Sequence, residues 1–342
     1  MVNDMKYHFT TNSRIIPKIF ANYPNTFLAF CELINNSLQA KASQIRIGIE
    51  QISDSLNPAA VRQITIKDNG VGVSQSGFKK KILEIGTDVK RGGKGIGRFA
   101  AFQIGSFLEI ETVAYDNKSD KYVKSVFQLD GNKLESNRLE TVNLEIKHEE
   151  FDSETDTYYQ VTISGIYGEQ ITCAEKQKRL HKNFLKENFE EAIFMQYPLQ
   201  ILNDEITFFI NGIKLGKDDY LIGKIETRTE IYNDPEGESH ELTLSFINYK
   251  SRSRKMRAFL RVENNNIRTI GYAFEYNCDI PDPNGWLIYI DSKLFDNNSD
   301  IFRNISISDL DIDSNTCSIA SKHLLTDFSK IGSKNILILQ KN

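Results

Sequence analysis

Apolar and polar positions recur with two different periods along this chain, and the clearest helical pattern lies near the N-terminus. Residues 24–40 carry apolar side chains at helical spacing, and Pro24 followed by Asn25 and Thr26 is a helix start signal. The apolar stripe consists of Phe27, Phe30, Leu33, Ile34 and Leu38. A shorter helix is predicted over 14–22.

Strands are predicted where apolar and polar residues alternate. In the first half these segments are 44–52, 62–73, 106–115, 121–130, 138–147 and 158–166. Further helices are predicted over 76–85, 98–105 and 172–195, and Pro198 lies just beyond the last of them. Helices mixed with many strands predict an α+β fold with the helices on one face of a sheet.

The second half is predicted to be rich in strands. Residues 205–215 form a hairpin pattern, in which Asn211-Gly212 suits a two-residue type I′ turn. Further strands are predicted at 240–249, 256–263, 269–276 and 285–291. We place the domain boundary near 196–203, which gives an N-terminal domain over 1–196 and a second α+β domain over 197–342.

The composition is that of a soluble globular protein, with 342 residues of which 40% are hydrophobic and 26% charged. The formal net charge of -4 gives no general attraction to nucleic acid, although a local basic patch is compatible with it. The four cysteines are scattered without a C-x-x-C pair, which favours free thiols in a reducing compartment. With no apolar run of membrane length and no signal-peptide pattern, we expect a cytoplasmic protein without membrane contact.

The helix at 24–40 carries polar residues that weaken it. Asn is a poor helix former, because its side chain competes for backbone hydrogen bonds, and Asn35 and Asn36 stand together in mid-helix. One interpretation is a solvated face. The other is a site, because Glu32 and Asn36 are four residues apart and therefore share one face of the helix.

The second polar motif is KDNGVGV, at the end of the strand predicted over 62–73. It has the composition of an ordinary Asp-Asn-Gly turn. Alternatively, Asp68 accepts a hydrogen bond from an exocyclic amine such as that of adenine, and Gly70 and Gly72 let the base lie against the backbone.

The third motif, KRGGKGIGRFAAF, places four glycines ahead of a helix, an arrangement that can bind phosphate through backbone amides. A Walker loop is excluded, because Asp88 stands where its first Gly is required and Gly95 follows Lys94. A Rossmann string is literally present, but it should follow a buried strand and here follows a polar loop. A third interpretation is a flexible lid that folds over phosphates.

The three motifs in this order resemble the GHKL ATPase (Bergerat) fold. That superfamily includes DNA gyrase B subunits, ninety-kilodalton heat-shock chaperones, sensor histidine kinases, MutL mismatch-repair proteins and MORC proteins. The segment ELINNSLQAKASQIRIGI is most similar to the MutL and MORC form. The resemblance covers about residues 14–170, and FFINGIKL resembles the start of the second domain of MutL-like proteins.

The resemblance implies a role for each matching residue. Glu32 corresponds to the general base, Asn36 to the Mg²⁺ ligand, and Asp68 to the residue that reads adenine. The further nucleotide contacts that it implies are Gln39, Gly70, Gly72, Thr87, Gly93, Lys94, Gly95, Ile96, Gly97, Arg98 and Thr162. Asn35 is interpreted as a neighbour on the helix rather than a ligand. Two departures from the family pattern are Gln39, where Asp is frequent, and Tyr159, where a Gly-Thr pair often begins the late strand.

The implied function is Mg²⁺-dependent hydrolysis of ATP that drives a conformational or dimerisation switch. Its setting would be DNA transactions, remodelling or bacterial defence. In relatives a basic residue of the second domain reaches the γ-phosphate, and the basic run at 250–257 offers five basic side chains for that role or for DNA. Residues 1–13 are predicted to act as a strap to a second copy, and a partner protein is also expected. The alternatives are a regulatory module that binds nucleotide with little hydrolysis and a DNA-binding adaptor.

Overall fold

A computed structural model describes residues 5–8, 23–52, 60–83, 97–131, 133, 143–167, 178–234, 237–250, 256–264, 267–276, 285–297 and 319–339. The chain divides into two compact units, Met1–Leu215 and Gly216–Asn342. Within the described part of the chain, no helix is long and apolar enough to span a membrane.

The first unit is built on a nine-stranded sheet. In chain order its strands are β1 (Met5–His8), β2 (Gln44–Gln51), β3 (Val61–Asp68), β4 (Gly105–Asp116), β5 (Lys121–Asp130), β6 (Asn143–Phe151), β7 (Tyr158–Ile166), β8 (Thr207–Ile210) and β9 (Ile213–Lys214). Their spatial order is β1-β6-β5-β4-β7-β3-β2-β8-β9. Every pairing is antiparallel except that of β2 with β8, which is parallel.

The helical segments of this unit are α1 (Thr26–Gln39), α2 (Gln75–Phe78), a π-helical turn (Lys79–Leu83), a 3-10 helix (Gly97–Gln103), a second 3-10 turn (Lys182–Phe184), α3 (Lys186–Gln196) and α4 (Pro198–Leu202). Helix α1 begins as the sequence predicts, because Asn25 caps it by accepting a hydrogen bond from the Leu28 amide at 2.9 Å. It packs on β3 and on the first 3-10 helix.

Aromatic packing fixes α1 in place. Phe27 and Phe30 lie edge-on to Phe184 and Phe189, with ring centroids 5.4–6.3 Å apart. At the start of the helix, the Thr26 hydroxyl donates to the Arg179 carbonyl oxygen at 2.9 Å. The apolar face of α1 is therefore buried against the later part of the same unit, and its polar face lies on the opposite side of the helix.

The hairpin β8–β9 belongs to the first unit. Asn211 and Gly212 both have positive φ, as the predicted type I′ turn requires. Because β8 pairs with β2, the units divide after Leu215, downstream of the boundary that the sequence predicts near 196–203.

The second unit contains a five-stranded sheet of order β10-β11-β14-β12-β13. Its elements are β10 (Glu226–Asn233), β11 (Ser239–Asn248), β12 (Met256–Asn264), β13 (Ile267–Tyr276), β14 (Trp286–Asp291), α5 (Lys293–Asn297) and α6 (Ile319–Leu339). Phe328 and Ile336 of α6 are buried in the apolar cluster that covers one face of this sheet. The α+β class predicted from the sequence is confirmed.

Some elements differ from the sequence prediction. In the described residues, strand β6 covers 143–151 and so extends past the predicted end at 147, and the segment predicted as one helix over 172–195 contains a 3-10 turn and α3 on either side of Leu185. The predicted helices at 76–85 and 98–105 are mostly π-helical and 3-10 in their described parts. The helix predicted at 14–22 lies outside the described residues.

Candidate functional site

One face of α1 carries a stripe of four half-buried polar residues: Glu32, Asn35, Asn36 and Gln39. Their spacing of three and four residues places them on one side of the helix, opposite the aromatic anchor. Glu32 and Asn36 therefore lie one helical turn apart, as the sequence predicts, at the boundary between the packed core and solvent.

Asn35 connects this stripe to the end of α3. Its Nδ2 lies 3.5 Å from Oε2 of Glu32, and its Oδ1 lies 3.0 Å from the hydroxyl of Tyr197. The same hydroxyl lies 3.0 Å from the Cys31 carbonyl oxygen. Tyr197 is buried, and burial raises the pKa of its phenol well above the usual range.

A second tyrosine lies near Glu32 from the segment before α1. Burial raises the pKa of Tyr23, and the Glu32 carboxylate raises it further. The backbone of Tyr23 is held by the Gln103 side chain, which accepts from its N–H at 2.9 Å and donates to its carbonyl at 2.7 Å. The 3-10 helix that contains Gln103 therefore fixes the segment leading into α1.

Asp68 ends β3 as a buried carboxylate. Burial raises its pKa, and three neutral donors lower it: the Ser37 hydroxyl and the backbone amides of Gly70 and Tyr159. The Gly70 amide donates to Oδ1 at 2.8 Å. Ser37 lies on α1, so the helix that carries Glu32 and Asn36 also holds Asp68.

The turn after Asp68 packs too closely for side chains at its glycines. A Cβ at Gly70 would lie 2.8 Å from the Ala40 carbonyl oxygen, and one at Gly72 would lie 2.2 Å from the Val113 carbonyl oxygen. Gly72 also has φ of +62°. The motif predicts that these glycines allow a close approach of the base, whereas the structure shows that the protein's own backbone already requires them.

Polar side chains anchor both ends of this turn. Asn69 accepts hydrogen bonds from the amides of Ser43 and Gln44 at 3.0 and 2.9 Å. The Thr112 hydroxyl accepts from the Val73 amide at 2.9 Å and donates to the Tyr158 carbonyl at 2.8 Å. The turn therefore bridges β2, β4 and β7, and it presents Asp68 on a rigid support.

Thr162 is not brought into the site. It pairs with Thr65 in the middle of β7, whereas Asp68 pairs with Tyr159. Side chains alternate between the two faces of a strand, so Thr162 lies on the face of the sheet opposite to Asp68. Tyr159, a departure from the family pattern, instead shares the face of Asp68 and supplies it with a backbone amide.

Several predicted contacts fall outside the described residues: Thr87, Gly93, Lys94, Gly95, Ile96 and most of the proposed lid at 86–97. Gly97 and Arg98 begin the 3-10 helix that packs against α1. Gln39 is the last residue of α1 and is half-buried.

The strap and the basic run are described only in part. Met5–His8 of the predicted strap form β1, which pairs with β6 of the same chain rather than extending away from it. In the basic run, the Lys250 ammonium donates to the Asp218 carbonyl oxygen at 2.5 Å, and Arg257 lies within β12. The run is therefore not one continuous loop, because a strand begins at Met256.

Residues 25–158 match the family model described as histidine kinase-, DNA gyrase B-, and HSP90-like ATPase. The matched segment begins at the cap of α1 and ends at the first residue of β7, so it contains the polar stripe and Asp68. The match supports membership of the GHKL ATPase superfamily for this segment of the chain. No curated protein matches the chain significantly. GHKL domains bind ATP, and the superfamily assignment supports ATP binding and hydrolysis in general terms.

The described side chains of this GHKL domain fit a nucleotide and a divalent cation. The amide oxygen of Asn36 is a hard donor of the kind that Mg²⁺ prefers, and this cation needs few protein ligands. Asp68 has an acceptor held in place by neutral donors, as recognition of an amine requires. Sequence reasoning missed Ser37, Thr112 and Tyr197. Ser37 alone left a local signal, because Ser is a weak helix former placed directly after Asn35 and Asn36.

Proposed function

We propose that this protein is a Mg²⁺-dependent ATPase of the GHKL type in which Glu32 is the general base, Asn36 the metal ligand and Asp68 the adenine reader. The observation that carries the proposal is the position of these groups around one helix. Glu32 and Asn36 share the polar stripe of α1, and Ser37 of the same helix holds the buried carboxylate of Asp68.

Glu32 is placed to activate water. Water attacks the γ-phosphorus of ATP, the bond from that phosphorus to the β,γ-bridging oxygen breaks, and the Glu32 carboxylate takes the proton that the water loses. The products are ADP and phosphate. The Glu32 side chain is half-buried on a packed helix, so the position of its backbone is fixed before ATP binds.

Asn36 would hold the metal one helical turn from the base. Mg²⁺, when bound there, neutralises negative charge on the phosphates. The neutral amide contributes an oxygen without adding a second negative charge next to Glu32. That choice of residue keeps the carboxylate available as a base.

Asp68 would select adenine by accepting a hydrogen bond from its exocyclic amine. The carboxylate accepts from the Gly70 amide at 2.8 Å, and the Tyr159 amide and the Ser37 hydroxyl also act on it, which restricts its orientation before any ligand arrives. Guanine presents a carbonyl oxygen at the equivalent position, and two acceptors would then face each other. Asp68 therefore discriminates by leaving a buried polar group unpaired with the wrong base.

We propose that ATP binding shifts the chain toward a homodimer, with residues 1–13 contributing to the interface by strand exchange. Because Met5–His8 already form an edge strand on β6, the same pairing offered to a second copy is a low-cost route to a dimer. The setting in DNA transactions, remodelling or bacterial defence belongs to this proposal, as does the role of 216–342 as a transducer.

The decisive experiment measures phosphate release and ATP affinity for the parent and Glu32→Ala, with and without Mg²⁺ and DNA. We expect the variant to bind ATP with similar affinity and to lose hydrolysis by a factor of about 100 to 10,000. Glu205→Ala, at an exposed glutamate of the same unit, is the matched control and should hydrolyse at the parental rate. Sedimentation velocity of Glu32→Ala with ATP reports the dimer.

Three outcomes count against the proposal in different ways. Binding of ATP without hydrolysis by the parent supports a regulatory module instead. Hydrolysis by Glu32→Ala removes the assigned base. Affinity for DNA without affinity for ATP favours the adaptor.

A further inference from the structure

We propose that Asn35 and Tyr197 are positioning residues for the Glu32 carboxylate, so that the junction between α3 and α4 sets the geometry of the general base. This inference rests on the proposed function. It assigns a role to a tyrosine that is distant in sequence and outside the segment that matches the family model.

Tyr197 occupies a fixed position between two helices. It follows α3, which ends at Gln196, and precedes α4, which begins at Pro198. Its ring lies 5.6 Å from that of Phe208 in β8, and the side chain is only 1% exposed. The packing on Phe208 leaves the phenol oxygen directed at α1, where it reaches the Cys31 carbonyl oxygen and Asn35.

The hydroxyl of Tyr197 determines which way the Asn35 amide faces. Its proton is shared between two acceptors, the Cys31 carbonyl oxygen and Oδ1 of Asn35, each at 3.0 Å. With Oδ1 held by this donor, Nδ2 faces the Glu32 carboxylate at 3.5 Å. The opposite orientation would bring an amide oxygen against a carboxylate oxygen, which is repulsive.

The distance of 3.5 Å is at the long limit for a hydrogen bond. Catalytic hydrogen bonds are often long before the substrate binds and shorten in the reacting complex. Glu32 needs such guidance, because a glutamate has several rotatable bonds and loses considerable freedom when it is held in one rotamer. Asn35 offers a hydrogen-bond donor on the same helix face and so restricts the rotamers that the Glu32 side chain adopts.

Three titratable groups near Glu32 are neutral. Among the described residues, Tyr23 before α1, Cys31 on α1 and Tyr197 after α3 each interact with its carboxylate. Burial raises the pKa of all three, so all stay protonated at neutral pH. Asn35 adds a neutral donor that faces the carboxylate.

The first test replaces Tyr197 by Phe, which removes the hydroxyl and keeps the ring that packs on Phe208. We expect kcat for ATP hydrolysis to fall about 3- to 10-fold, the range for loss of one hydrogen bond, with ATP affinity unchanged. Tyr122→Phe, a half-buried tyrosine of β5, is the matched control and should retain the parental kcat. Calorimetric binding stoichiometry gives the folded fraction, so a loss of kcat at full stoichiometry is not a folding defect.

The second test replaces Asn35 by Asp, which exchanges the donor for a second carboxylate beside Glu32. We expect a lower kcat and an acid limb of the kcat–pH profile displaced to higher pH, because a like charge disfavours the ionised base. Asn203→Asp is the matched control. Its amide donates to the exposed Glu205 at 3.3 Å, so the same exchange occurs away from the site and should leave the profile unchanged.

The outcomes separate this inference from the proposed function. If the parent hydrolyses ATP and both variants keep the parental kcat and pH profile, the positioning role is wrong and the ATPase stands. If the Asn35 variant alone is affected, the role of Tyr197 is overturned. If the parent does not hydrolyse ATP, the proposed function fails and this inference fails with it.

Discussion

Asp68 and Asp291 occupy equivalent positions in the two units, since each is the last residue of a strand and each carboxylate is shielded from solvent. Their partners differ completely. Asp291 accepts two hydrogen bonds from Arg261 at 2.9 and 2.8 Å, and Arg268 lies 3.5 Å away. The partners that act on Asp68 are a hydroxyl and two backbone amides, all of them neutral.

The difference separates a carboxylate that stabilises the fold from one that is kept for a ligand. An arginine fork satisfies Asp291 fully, so this residue has little left to offer a substrate. Asp68 is buried without comparable compensation, and burial raises its pKa. A folded chain that tolerates this cost at the end of a strand, beside a glycine turn, has the features of a binding site.

The largest expected effect is loss of nucleotide affinity on replacing Asp68 by Ala. Removal of the acceptor leaves the exocyclic amine of adenine unpaired in a buried slot, which should weaken ATP binding by at least about a thousandfold and reduce discrimination against GTP. Calorimetry with ATP and GTP measures both. If this variant binds ATP as tightly as the parent, Asp68 does not read the base.

Asp291→Asn should have the opposite pattern of effects, with a loss of stability and no loss of ATP affinity. It leaves the half-buried Arg261 guanidinium without its charge partner, so the second unit should lose about 3 kcal/mol of unfolding free energy while ATP affinity is retained. Trp286 is the single tryptophan and lies at the start of β14, the strand that ends at Asp291, so its fluorescence during urea unfolding reports this unit. A variant with an unchanged fluorescence transition would show that the arginine network contributes no stability.

Gly72 and Gly285 allow a second comparison of the two units, because Gly72 lies shortly after β3 and Gly285 directly precedes β14. Gly72 and Gly285 both have positive φ, and a Cβ at either would lie 2.2 Å from a backbone carbonyl oxygen. Replacement by Ala should therefore cost about 2 kcal/mol at each position, from backbone strain and a forced shift. Only Gly72→Ala should also weaken ATP binding. Far-UV circular dichroism, Trp286 fluorescence and calorimetry distinguish the two units, and equal ATP affinity in both variants would contradict a nucleotide site at the turn.

The sequence predicts the parts of the first unit whose signals are local. The apolar stripe and the Asn25 cap predict α1, and the Asn211-Gly212 pair predicts the hairpin turn, because each depends on neighbouring residues. The placement of Glu32 and Asn36 on one face is also predictable, since a spacing of four residues in a helix is enough to bring them to the same side. Superfamily membership, also predicted from the motifs, is confirmed by the family match.

Contacts between distant residues could not be predicted in this way. Tyr197 reaches Asn35 across 162 positions, and no local pattern connects them. The exclusion of Thr162 depends on strand register, because a shift of one residue reverses which side chains share a face. Helix α6 was missed because Ser, Thr and Gly interrupt its apolar spacing, and β10 was missed because most of its side chains are exposed or half-buried.

The smallest expected effect is a pH-dependent change in stability that arises from Asp68. Because burial raises the pKa of Asp68 in the folded protein, the folded state holds its proton at a pH where the unfolded chain, with a pKa of about 3.9, has lost it. Stability contributed by this group therefore falls as pH rises from the unfolded pKa to the folded pKa, and the loss is complete above the folded value.

Asp68→Asn removes that titration. The variant should gain stability relative to the parent as the pH is raised from about 3 to 7, although it cannot bind ATP through a carboxylate. Thermal unfolding followed by far-UV circular dichroism across this range measures the difference, and Asp291→Asn, which loses stability at neutral pH, is the control. If the stability difference between the parent and Asp68→Asn is the same at every pH, burial does not raise the pKa of Asp68. The contrast between Asp68 and Asp291 would then depend only on their hydrogen-bond partners.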